Sequence, residues 1–97
     1  LDGAPAPIDI LEEIVNAVGN RVEIWMDSGI KSGQDILKAL ALGATGTLIG
    51  RAYQHGLGAM GQAGVKRSLE ILQRELDLTM AFCGVKDIKD VSRNIIL

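Results

Sequence analysis

Met26-Asp27-Ser28-Gly29-Ile30-Lys31-Ser32-Gly33 is a turn set where a short apolar run ends and a helical pattern begins. Its counterpart further along is Leu48-Ile49-Gly50-Arg51. Both share one grammar: an apolar run stops at a glycine, a cation follows, and a helix starts. Backbone N–H groups at a helix N-terminus, reached through glycine and flanked by a cation, suit a phosphate. The rest of the chain reads as the frame that holds the two turns side by side.

Outward from the first turn, Val22 to Met26 is short and rich in strand formers, so it reads as a strand. Before it, Ile8, Leu11, Ile14, Val15 and Val18 form a helical stripe. Pro7 suits the first turn of that helix, Asp9 complements its dipole, and Gly19-Asn20 stops it. After the turn, Ser32 is an N-cap and Asp35 completes a capping-box pattern. The helix so started turns Ile36, Leu37, Leu40 and Ala41 inward and Lys38 outward, and ends at Gly43. Thr45 to Ile49 is apolar enough for a parallel strand buried on both faces. Residues 52–57 read as a short extra helix broken by Gly58 and Gly61. A long amphipathic helix then runs from about Gln62 to Cys83 on Val65, Leu69, Leu72, Leu76, Thr79, Met80 and Cys83. Its charges at Lys66, Arg67, Glu70, Arg74, Glu75 and Asp77 read as a solvated face with one helical ion pair, Lys66–Glu70. Gly84 is a C-cap candidate, and Asp87 is placed to cap a last turn through Ile88 and Val91.

The 97 residues suffice for one domain. A net charge of -2 gives no electrostatic footprint for nucleic acid. The single cysteine, Cys83, excludes an internal disulfide and a cysteine-based zinc site. No apolar run approaches the length of a membrane span, and no secretory signal is recognisable at Leu1-Asp2-Gly3-Ala4-Pro5. The chain starts with Leu inside what reads as a loop, and so is expected to be a piece of a longer protein.

Strands alternating with helices imply right-handed parallel crossovers. Two such strands make a sector of a sheet with open edges. In a (β/α)8 barrel, the loops after strands seven and eight and a short extra helix commonly form a phosphate site. The expected fold is therefore α/β, the C-terminal quarter of such a barrel: sixth helix, seventh strand and helix, eighth strand, short phosphate-site helix, eighth helix. Residues 1–97 would be the C-terminal part of one barrel domain.

Asp27 through Asp35, Lys38-Ala39-Leu40-Ala41-Leu42-Gly43-Ala44, Ile49-Gly50-Arg51, Ala63-Gly64-Val65, Glu75-Leu76, Leu78-Thr79-Met80 and Gly84 closely resemble the FMN-dependent 2-hydroxy-acid dehydrogenase/oxidase family. Glycolate oxidase, lactate oxidase and mandelate dehydrogenase are members. The two turns alone are also shared by inosine-monophosphate dehydrogenase-like and type 2 isopentenyl-diphosphate isomerase-like barrels, which are the alternative reading. The resemblance implies oxidation of an (S)-2-hydroxy acid such as L-lactate to the 2-oxo acid, with FMN as cofactor. It implies that Asp27, Ser28, Gly29, Ile30, Lys31, Gly50 and Arg51 bind FMN. Arg51 supplies a fork of hydrogen bonds to the phosphate, and Asp27 suits a ribityl hydroxyl because it would repel a phosphate. The family usually has Arg where this chain has Lys31, which keeps the charge but loses the fork.

The family's catalytic His and substrate-binding Arg lie in a His-Gly-x-Arg-Gln-Leu-Asp segment whose last two residues match Leu1-Asp2. No catalytic residue is therefore expected in this chain, and the piece alone should be inactive. His55, the only histidine, matches no catalytic position. Cys83 is expected in the core and Trp25 packed under a helix. Expected partners are the small 2-hydroxy acid, the remainder of the barrel and a second copy in a homo-oligomer. By itself the piece is an inert fragment that self-associates through its open edges. A cytoplasmic location is expected, with peripheral attachment to the inner membrane as the alternative.

Overall fold

A computed structural model describes all residues, 1–97. The elements are helix α1 (Pro7–Val18), strand β1 (Trp25–Met26), helix α2 (Gly33–Ala41), strand β2 (Gly46–Thr47) and helix α3 (Arg51–Phe82). Two 3-10 turns follow, at Ile88–Asp90 and Arg93–Ile95. The strands are parallel, pairing Trp25 with Gly46 and Met26 with Thr47, and α2 makes the crossover between them. No helix is long and apolar enough to cross a membrane.

The strands are shorter than expected. Each has a single neighbour, so the ladder survives only where both backbones face each other. It continues as single bonds at either end, from Thr45 N–H to the Ile24 carbonyl (2.7 Å) and from Leu48 N–H to the Met26 carbonyl (2.9 Å). The expectation of burial on both faces of 45–49 fails for the same reason: Leu48 remains 50% exposed and Thr45 is exposed as well. Trp25 is also a correction, at 56% exposed. Alternation along β1 sends Met26 inward and Trp25 outward. The indole lies over Gly46 of the paired strand, where a Cβ would run into its ring, and its Nε1 donates to Glu23 Oε2 at 3.1 Å.

Leu11, Met26, Ile30, Ala39 and Ala44 form the core, with Ile8, Val15, Ile24, Ile36, Leu42 and Ile49 packed round it. Ile30 belongs to the opening turn, so that loop is anchored by an apolar side chain. On α2 the capping box forms in both directions: Asp35 N–H donates to Ser32 Oγ, and Ser32 N–H donates to Asp35 Oδ2. Replacing Ser32 with alanine removes one side of the box and should cost about 1 kcal/mol, read as a lower urea midpoint in the full-length protein.

Residues 51–82 form one helix on hydrogen bonds, yet it bends at Gly61 (φ 60°, ψ −138°). Glycine adopts this left-handed backbone without the Cβ penalty. The break thus falls at Gly61 alone; Gly58 stays helical, and the expected short helix becomes a ten-residue arm, 51–60. The arms meet where Gly56 and Gly64 face each other, and a Cβ built on Gly64 would overlap the Gly56 carbonyl oxygen.

On the longer arm Leu72 and Met80 are buried, whereas Leu69 is half exposed. Cys83 is exposed, against the core expectation. It is the C-cap residue, one turn past Met80, where the helix has run beyond its packing partners. A Schellman closure follows, with Gly84 N–H bonded to the Ala81 carbonyl and Val85 N–H to the Met80 carbonyl. Asp87 caps its 3-10 turn through Lys89 N–H, as expected. The turn at 93–95 was not anticipated; Arg93 Nε pairs with Glu12 Oε1 at 2.6 Å and ties it to α1. The helical ion pair is Arg67–Glu70 at 3.6 Å, three residues apart, in place of Lys66–Glu70. Glu75 also departs from the solvated face: half-buried, it accepts from Gly33 N–H at 2.8 Å.

Candidate functional site

Where β1 ends, Asp27 Oδ1 accepts from Ser28 N–H at 2.8 Å. Ser28 and Gly29 then both take positive φ, 81° and 80°. The conformation is uncommon for a residue with a Cβ, and strain of this kind persists where neighbours over-determine the loop. Here the over-determination is visible: Asp27 holds the N–H on one side, and buried Ile30 pins the other. Lys31 follows, exposed, with its own N–H bonded to Asp35 Oδ2 at 2.9 Å.

Across from this loop, β2 delivers Gly50 as the N-cap of α3 and Arg51 as its first residue. The two turns enclose a cleft of about 210 Å³ lined by Asp27, Ser28, Gly29, Ile30, Lys31, Leu48, Gly50, Arg51 and Gln54. All seven residues singled out from the sequence therefore meet in one place. Leu48 and Gln54 were not anticipated. Their signal was available: Gln54 is three residues beyond Arg51 on the same helix face, and Leu48 is two before Gly50.

Two cations line the cleft, and neither Lys31 nor Arg51 is engaged in an ion pair, since the chain's salt bridges are Arg67–Glu70 and Arg93–Glu12. Asp27 is the only carboxylate among the lining residues. The N–H groups of Gly29, Ile30 and Gly50 make no hydrogen bond within the chain. The first N–H groups of α3 lack intrahelical acceptors by the nature of a helix start. The cleft thus gathers unspent donors, two cations and a single carboxylate among its lining.

The two turns are less alike than their sequences. At α2 the N–H groups of Lys31 and Ser32 are taken by Asp35, and that of Gly33 by Glu75. Carboxylates therefore take the peptides leading into α2, leaving only the Gln34 N–H of its first turn, which is not among the residues lining the cleft; the open donors of the cleft belong to the 29–30 backbone and the start of α3. His55 is exposed and outside the cleft.

A family model described as FMN-dependent dehydrogenase matches residues 1–97. The chain is 48% identical to a peroxisomal (S)-2-hydroxyacid oxidase of Arabidopsis thaliana, over 97% of this chain and 26% of that protein. It superimposes on a mandelate oxidase variant holding a monooxide FMN adduct with a TM-score of 0.90 and 44% identity, covering 96% of this chain and 30% of the other. It also superimposes on an (S)-mandelate dehydrogenase with a TM-score of 0.93 and 41% identity, covering 98% and 26% respectively. The chain spans about a quarter of the length of the curated relatives it matches, and its fold is the C-terminal part of a (β/α)8 barrel. With the family model matched from the first residue to the last, the chain belongs to the FMN-dependent dehydrogenase family.

Proposed function

We propose that this chain supplies the phosphate and ribityl end of the FMN site in a flavoenzyme that oxidises an (S)-2-hydroxy acid to the 2-oxo acid. The observation that carries the reading is the cleft in which Lys31, Arg51 and the free N–H groups of Gly29, Ile30 and Gly50 converge. This donor set fits a phosphate, which offers only acceptors. Arg51 would hold it through its fork of charged donors, and Lys31 would add a point charge without a fork. Asp27 has one carboxylate oxygen occupied by Ser28 N–H; the other is left to accept from a ribityl hydroxyl. Leu48 and Ile30 supply the apolar walls between these polar groups. When bound, FMN supplies the acceptor for the hydride leaving the hydroxy acid's α-carbon.

No residue of this chain is assigned to proton abstraction, because its single histidine lies outside the cleft. The base and the arginine that holds the substrate carboxylate are assigned to the segment preceding residue 1. The remainder of the barrel is the first partner in this reading. The exposed Trp25 on the two-stranded sheet and the exposed Val22 and Leu48 beside it are the surfaces it would cover. Homo-oligomerisation and a cytoplasmic location belong to the same proposal.

The test is to purify the full-length protein and follow its flavin absorbance anaerobically with L-lactate, glycolate and (S)-mandelate. Bound FMN bleached by at least one of these acids is expected. A colourless protein that takes up no FMN, or a flavin untouched by every 2-hydroxy acid, overturns the reading.

A further inference from the structure

Glu75 lies on the long arm of α3, 42 residues from Gly33, yet its carboxylate accepts the Gly33 N–H at 2.8 Å. The approach is close because position 33 has no side chain: a Cβ built there would collide with the backbone at Glu75 and Leu76. Gly33 is buried and Glu75 is half-buried, so the bond is shielded from competing water. Asp35 takes the two preceding N–H groups, at Lys31 and Ser32. Two carboxylates therefore fasten three consecutive peptides, and those peptides lead directly out of the 27–31 loop. Asp35 belongs to α2 itself, so it shapes the turn but cannot fix where the turn sits. Glu75 is the only one of the two that reaches from another element.

We infer that Glu75 is a positioning residue of the cofactor site: by holding Gly33 against α3, it sets the 27–31 loop opposite Gly50 and Arg51. This rests on the FMN reading above. The same helix carries Arg51 on its short arm and Glu75 on its long one, so both walls of the cleft are referenced to α3. Occupation of the α2 donors has a second effect, because an anion arriving there would meet two carboxylates. The phosphate is left to the Gly50–Arg51 side.

The experiment compares FMN with riboflavin, which lacks the phosphate, as ligands of the full-length apoprotein, titrated by flavin fluorescence. For Glu75→Ala, FMN affinity is expected to fall about tenfold, the effect of losing a charged hydrogen-bond partner, while riboflavin, which keeps only the ribityl contact to Asp27, loses several-fold less. Glu75→Gln keeps an acceptor oxygen at the same reach and should recover most of the FMN affinity. Glu75→Asp keeps the charge but is one methylene short, and should behave like alanine; it serves in alanine's place if that variant does not accumulate. FMN affinity unchanged in the alanine and aspartate variants, or FMN and riboflavin affinities falling by the same factor, overturns the inference. Failure of the FMN reading looks different: the unsubstituted protein would itself show no preference for FMN over riboflavin.

Discussion

Replacing Arg51 with alanine in the full-length flavoprotein should weaken FMN binding about a hundredfold, which is roughly 2.8 kcal/mol. The size follows from what the guanidinium has to offer. It is exposed and engaged in none of the chain's ion pairs, so nothing in the fold depends on it. Its fork matches two phosphate oxygens, and a hydrogen bond to a charged group contributes about 1.5–3 kcal/mol. Arg51→Lys keeps the charge and loses the fork, so its affinity should fall between the two, about tenfold below the parent. Equilibrium titration of apoprotein with FMN measures both, and an unfolding curve for each variant should overlay the parent. An Arg51→Ala protein that binds FMN like the parent would remove Arg51 from the site. Because the cleft is open to solvent, the Arg51 contribution should also shrink as ionic strength rises.

The site is local in sequence. Asp27 to Lys31 and Gly50-Arg51 are each a strand end followed by a helix start, and such junctions are readable from apolar runs, glycine and capping residues. The helices were legible for a similar reason, since Leu11, Leu37, Leu72 and Met80 recur with helical spacing and are buried where the period places them. Ser32 and Asp35 even gave the capping box.

What the period does not carry is which neighbour an element finds. Trp25 carries the composition of a core residue, but it lies beside Gly46 of the paired strand and remains 56% exposed. Cys83 continues an apolar stripe past the point where the stripe has anything to pack on. Glu75 stands among solvated charges in sequence, and only the close passage of Gly33 along α3 turns it into a ligand for a backbone N–H. The same holds for the N-termini of the two helices. Their sequences are alike, but the Gly33 N–H at the start of α2 is taken by Glu75, 42 residues away, while the Gly50 N–H is free.

The largest stability effect is expected at Gly64, where α3 folds back on itself. A methyl group added there would overlap the carbonyl oxygen of Gly56 and crowd Met60 Cβ at 3.1 Å. The obstructing oxygen is backbone, so no side-chain rotation relieves it; the arms must separate or the Gly61 bend must open. Overpacking of this kind typically costs 1–3 kcal/mol and occasionally more, and with backbone as the obstacle Gly64→Ala should cost about 3 kcal/mol. The arm that moves, 51–60, carries Gln54 and Arg51 into the cleft, so FMN affinity should drop along with the urea midpoint. Gly58 is the internal control, since it lies on the same arm with open space around its Cα. There alanine restores helix propensity and narrows the unfolded ensemble, for a gain of about 0.5–1 kcal/mol. One methyl group on the same helix thus has opposite signs at positions six residues apart. A Gly64→Ala protein as stable as its parent, with FMN affinity intact, would mean that the arms are not in backbone contact.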